Sequence, residues 1–241
     1  FVESPADDRA PLDKAYAGAM KSAWEQFPDD ADVGALYAEA LMDLHPWDLW
    51  ADDQPRPGTL EIVTTLEAVL KRHPDHPFAM HLYIHAVEAS PNPEKGDAAA
   101  DGLRDSCPGV GHLVHMPSHI DVRRGRWQAA VEANQKAIKA DSRYAKRSPE
   151  QGFYRLYMAH NRHMLSFAEM MRGQSRPALD SARAMLAEIP SQWLSNGQNA
   201  AFVDGRFAMP AEVMMRFGQW DDLLKEPAPS ERFPVARALT L

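Results

Sequence analysis

An all-helical fold is what this sequence predicts, and three observations carry the prediction. Apolar residues recur at spacings of three and four through seven stretches, alternating patterns that would mark strands are scarce, and one glycine-centred frame returns three times.

Taken in order, "PLDKAYAGAMKSAWEQF" (residues 11–27) opens the helical pattern, and "PDDAD" after it supplies a turn and a capping acid. "DVGALYAEALMDL" (32–44) is the second helix, closed by the Pro-, Asp- and Gly-bearing run "HPWDLWADDQPRPG". "TLEIVTTLEAVLKRH" (59–73) and "MHLYIHAVEAS" (80–90) follow, separated by "HPDHP" and closed by "SPNPEKG". Beyond "CPGVG" lie "GHLVHMPSHI" (111–120), "RWQAAVEANQKAIKA" (126–140), "YRLYMAHNRHMLSFAEMM" (154–171) and "RPALDSARAMLAEI" (176–189). Short breaks of this kind suit antiparallel helical hairpins.

The repeat is more telling than any single helix. Setting Gly125 on Gly173 superposes His112 on His160, His115 on His163 and Ala130 on Ala178. Setting Gly125 on Gly218 superposes Met116-Pro117 on Met209-Pro210, Arg123 on Arg216 and Trp127 on Trp220, with Glu212 in the place of His119. A helix, a glycine turn and a second helix carrying small packing residues is tetratricopeptide logic; Gly173, Ala178, Ala182 and Pro190 fit it in the middle copy. The expected architecture is a TPR-like α-solenoid of stacked antiparallel hairpins, forming one helical-repeat domain over residues 1–241.

Composition narrows the function classes. Apolar residues make up 45% and charged residues 25%, as in an ordinary globular protein. A net charge of -8 opposes broad affinity for nucleic acid or an anionic membrane face, and no apolar run is long enough for membrane insertion. The basic run Arg123-Arg124-Gly125-Arg126 reads as a solvated helix end, and Cys107, the single cysteine, as an inert thiol. No nucleophile elbow, phosphate loop or zinc-protease helix signature occurs. The chain begins at Phe1 with a loop-like "FVESPADDRAP", from which we expect upstream sequence in a longer protein.

Seven of the ten histidines fall in three helical stretches. His81 and His85 are four apart with Glu88 three further on, His112, His115 and His119 run at three and then four, and His160 and His163 are three apart. Each spacing puts its group on one helix face. Imidazoles converging in a buried pocket leave unsatisfied nitrogens at about 1–3 kcal/mol each unless something engages them, and a metal ion does so economically. All seven are therefore candidate ligands, enough for two ions or for one ion with further supporting histidines. Without thiolates the site favours a transition metal suited to imidazole: copper first, then zinc or iron. Glu88 is the candidate catalytic base, ligand or orienter, and Tyr157 and Asn161 are candidate polar lining. Pro117 either kinks the helix that holds three histidines or starts a new one, leaving His112 and His115 in a loop. The methionines beside histidines, Met80, Met116, Met158 and Met164, read as core, and His45, His73 and His76 as surface or turn residues beside prolines.

At "MHLYIHAVEAS", "GHLVHMPSHIDVRRGRW" and "AHNRHML", in that order, the chain resembles a family of bacterial tetratricopeptide-repeat proteins. The resemblance runs from about Asp13 to Trp220 and extends to "LYAEALMDLHPWDLW" and "RFGQWDDLL". It implies a helical-repeat fold, membership of a longer chain with more repeats upstream, and an extracytoplasmic location, since such proteins often carry an export signal. It implies no reaction. Two functions follow as expectations: a metalloprotein with a multi-histidine centre, possessing redox or oxygen chemistry, or a scaffold that binds a peptide or partner protein on its concave face.

Overall fold

The computed structural model describes residues 9–195 and 197–240, so the loop expected at the start of the chain lies, for residues 1–8, outside the described residues. The chain forms two compact units, Phe1–Cys107 and Pro108–Leu241. Helices dominate both, and the strands among the described residues are two short ones in the first unit.

In the first unit α1 (Ala10–Gln26) packs on α2 (Ala31–Met42), α2 on α3 (Thr59–Arg72), and α3 on α4 (Pro77–Glu88), which also meets α5 (Asp97–Leu103). Local chemistry sets the boundaries. The Asp30 carboxylate accepts the Val33 amide at the start of α2, and His76 caps α4 by accepting the Ala79 amide on Nδ1, with Pro77 behind it. The apolar stripe of α3 (Ile62, Leu66, Val69) and the inner face of α4 (Met80, Ile84, Val87) are almost wholly buried. Between α2 and α3 the proline-rich break contains a feature the sequence pattern did not signal: β1 (Trp50–Ala51) pairs antiparallel with β2 (Gln54–Pro55). Asp52 and Asp53 turn it at φ 50° and 61°, as a two-residue hairpin requires. The Trp50 indole donates to the Ala86 carbonyl, tying the hairpin to α4.

In the second unit α6 (Gly111–His115) and α7 (Pro117–Arg123) pack on α8 (Trp127–Arg147), α8 on α9 (Arg155–Met171), and α9 on α10 (Ser175–Glu188). Then come α11 (Gly197–Val203), a 3₁₀ turn (Asp204–Ala208), α12 (Met209–Arg216), which packs on α10, and the short α13 (Trp220–Leu223) and α14 (Pro234–Thr240). One core cluster joins Leu156 and Ala159 of α9, Ala182 and Met185 of α10, Val203, and Met209 and Val213 of α12.

The three aligned glycines do the same local job. Gly125, Gly173 and Gly218 end α7, α9 and α12 at φ 69°, 75° and 65°, a region where a side chain would be strained. After each, the next amide reaches back five residues: Arg126 to the Asp121 carbonyl (2.7 Å), Gln174 to Glu169 (2.9 Å) and Gln219 to Met214 (2.9 Å). With the glycine amide bonded three residues back in each case, this is one Schellman turn built three times. No described helix is long and apolar enough to cross a membrane.

Candidate metal centre

Pro117 resolves its two alternatives in an intermediate way. It opens α7, yet the residues before it are helical as well, and Met116 joins the two segments in the right-handed helical region. Proline lacks the amide that would continue the ladder, so the axis breaks without unwinding the chain. His112 and His115 therefore stand on α6, not in a loop, and His119 follows one turn later on α7. His115 and His119 face each other with Nε2 atoms 2.9 Å apart.

A chain of hydrogen bonds from α8 fixes the state of His115. Asn134, wholly buried, donates its amide nitrogen to the Ala130 carbonyl (2.8 Å), which leaves its oxygen as the group facing His115 Nδ1 at 2.9 Å. An oxygen accepts, so Nδ1 carries the hydrogen and the Nε2 lone pair points away from Asn134 toward His119. The Ser118 hydroxyl lies at 3.3 Å from the same Nδ1. His115 itself is 0% exposed.

The α9 helix completes the group. Its packing on α8 and α6 sets His160 Nε2 at 3.5 Å from His119 Nε2, with the His160 ring edge-on to His115 at 4.8 Å between centroids. One nitrogen each from His115, His119 and His160 lie within 4.8 Å of one another. A tetrahedral ion with metal–nitrogen bonds near 2.0–2.1 Å needs its ligand nitrogens about 3.3–3.4 Å apart, a spacing bracketed by the two contacts of His119 Nε2 at 2.9 and 3.5 Å.

Electrostatics favours the ligating form. Burial, then the neighbouring His119 and His160, hold His115 well below the usual imidazole range; burial, then His119 and His163, push His160 down to about 2. His163 is pushed down to about 4, by burial and then by the Arg206 charge. These rings are neutral at pH 7, as a metal requires of imidazole. The group can hold a metal ion, and three protein ligands leave a coordination position open for water or substrate.

Neither a protein-family model nor a curated protein matches this chain.

The remaining candidates fall around the triad or in the first unit. His163 stands one turn beyond His160, with ring centroids 6.3 Å apart. The His112 ring lies 5.8 Å from His115 and meets Tyr157 edge-on at 4.7 Å, so Tyr157 touches the triad's neighbour. Asn161 turns into a brace instead: its amide donates to buried Asp141 (2.7 Å), whose other oxygen accepts the Tyr154 hydroxyl (2.9 Å). Gly111 makes room for that brace, since a Cβ there would stand 2.0 Å from the Asp141 carboxylate. In the first unit, His81 and His85 meet edge-on at 4.9 Å, and His85 Nδ1 contacts the Glu88 carboxylate at 2.7 Å, so Glu88 orients His85 within its own helix.

Sequence reading missed Asn134 and Asp141 as participants. A signal for both was present: Ala130, Asn134, Ala137 and Asp141 form the buried stripe of α8, and a polar residue inside an apolar stripe demands a partner. Arg206 was missed as well, and no local pattern marks it.

Proposed function

We propose that this protein is a metal-binding helical-repeat protein in which His115, His119 and His160 hold one transition-metal ion, copper first, then zinc or iron. The observation that carries the reading is the meeting of three Nε2-bearing rings from α6, α7 and α9, one of them locked by Asn134 with its lone pair turned toward the others. An all-nitrogen donor set without thiolate suits these ions. With a position open, a bound copper or iron supplies redox or oxygen chemistry, and a bound zinc polarises water.

The scaffold belongs to the same proposal. The Schellman turns at Gly125, Gly173 and Gly218 support a tetratricopeptide-like repeat, and with it the bacterial repeat family that the histidine blocks resemble. Under this reading the hairpins stack as a solenoid. The repeat also favours a second function, a concave surface for a peptide or partner protein, compatible with the first.

The test is metal analysis of untagged protein after reconstitution with copper, zinc and iron in turn. The expected result is about one equivalent of a single ion, abolished in His115→Ala and His160→Ala variants that remain folded. Less than about a tenth of an equivalent with every ion would leave only the scaffold.

A further inference from the structure

Among the described residues, Arg206 is a cation with no anion paired to it. It sits in the 3₁₀ turn Asp204–Ala208, where residues three apart eclipse, so it shares a face with Val203. Val203 is buried in one cluster with Leu156 and Ala159 of α9, and those two continue along the same helical stripe into His160 and His163. The turn thus sets Arg206 on the side of the fold that carries the histidine-bearing stripe.

Its contacts leave the charge uncompensated. Nη1 donates to the Phe202 carbonyl (2.8 Å), and the guanidinium carbon lies 5.2 Å above the Phe202 ring. Nε, sealed from solvent, has no hydrogen-bond acceptor among the described residues. Arg162 on α9 shares the Nε without a hydrogen-bond acceptor but has an anion beside it, Glu188 at 2.6 Å. A buried N–H left without a partner is costly, more so in a charged group. With Nη1 committed to a carbonyl, the Nε and Nη2 edge remains, and two parallel N–H groups in one plane match the two oxygens of a carboxylate. Phe202, on whose ring the guanidinium rests, is itself half exposed.

We infer that Arg206 is the anion-receiving arm of the histidine site, pairing through its Nε and Nη2 edge with a small carboxylate ligand that reaches the open position beside His160. The part concerning the ion rests on the metal reading; the part concerning Arg206 does not.

The experiment titrates acetate, with inorganic phosphate in parallel, into metal-loaded and chelator-treated protein, following heat and the Arg206 Nε–H resonance. Wild type is compared with Arg206→Gln and with Arg206→Lys, which keeps the charge and loses the fork. Expected are a shift of the Nε–H resonance in wild type, about tenfold or greater weakening of acetate in R206Q and a smaller weakening in R206K, at unchanged metal content. Equal acetate affinity in wild type and R206Q, or no acetate binding to wild type, overturns the inference. Phosphate binding more tightly than acetate overturns the carboxylate class. Should no ion load at all, the metal reading fails by itself, and the chelator-treated titration alone decides for or against Arg206.

Discussion

The segments at Met116-Pro117 and Met209-Pro210 share a backbone and differ in chemistry. Both place proline at the start of a helix, α7 and α12, both end on a left-handed glycine with the same pair of return bonds, and both resume helix at a tryptophan two residues later. Where the first buries His115, the other buries Ala208, packed among Ala200, Phe233 and Ala236. Where the first holds His119, the other holds half-buried Glu212; where α8 presents Asn134, the later copy has Pro227, beyond a helix of only four residues. The frame is therefore a structural device, and the candidate chemistry is laid on it at a few positions. It needs both the imidazoles and a helix long enough to deliver their orienting amide.

The largest test removes the imidazole that distinguishes the two. His115→Ala gives the first segment the residue its counterpart already has, and metal affinity should fall by more than the ~10–100-fold typical of changes behind the ligand layer. Calorimetric or competition titration with the preferred ion reads it. An affinity within threefold of wild type, at unchanged stoichiometry, would place the ion elsewhere.

Next in size is the amide. Asn134→Leu removes the acceptor that fixes the His115 hydrogen on Nδ1, while Asn134→Asp keeps an acceptor there. The leucine variant should lose about 10–100-fold in affinity and the aspartate variant far less. Nitrogen-15 imidazole shifts of His115 separate this from a packing effect, because a mixture of tautomers should appear in the leucine variant alone.

What the sequence made legible follows the same division. Helix type, the glycine frame and the histidine rows are all local: each is written in spacings of three, four or about 48 residues, and periodicity reads such spacings directly. Convergence is not local. Nothing in "GHLVHMPSHI" says that His119 meets His160 while Asn161, beside it, turns to Asp141. That depends on how α9 rolls against α8, which is decided by buried alanines and by the Gly111 contact with Asp141. The hairpin at Asp52-Asp53 was hidden because a proline-rich break reads as loop, and two positive-φ aspartates satisfy a turn that glycine or asparagine usually marks.

Acid should separate the histidine-bearing helix α9 from the Met209-Pro210 segment by sign. Metal-free protein keeps His163 neutral down to about 4, whereas an unfolded chain takes up that proton near 6.5. Between those values the unfolded state binds more protons, so this residue's stabilising contribution is present above 6.5 and is lost as pH falls, by about 1.4 kcal/mol per pH unit at the limit. Glu212 runs the other way: burial raises its carboxyl, so its contribution is present at low pH and is lost as pH rises through the raised value. Urea midpoints from pH 7 to 5 should fall more gently in His163→Gln than in wild type, and Glu212→Gln should not flatten that fall. A wild-type slope retained in His163→Gln would mean that the ring is protonated in the folded chain.

The smallest effect asks whether the frame is one device or three coincidences. Alanine at Gly125, Gly173 or Gly218 meets no atom closer than 3.6 Å, so the substitution is charged with conformation alone. Each left-handed position should cost about 1–2 kcal/mol, read from the denaturant midpoint at constant slope. Similar costs at all three, with metal affinity untouched in Gly218→Ala, are expected if the turn shapes the backbone and leaves the chemistry to residues placed upon it. A Gly218→Ala variant that loses the ion while keeping its stability would show instead that the histidine-free copy takes part in binding, and the contrast between the two segments would no longer hold.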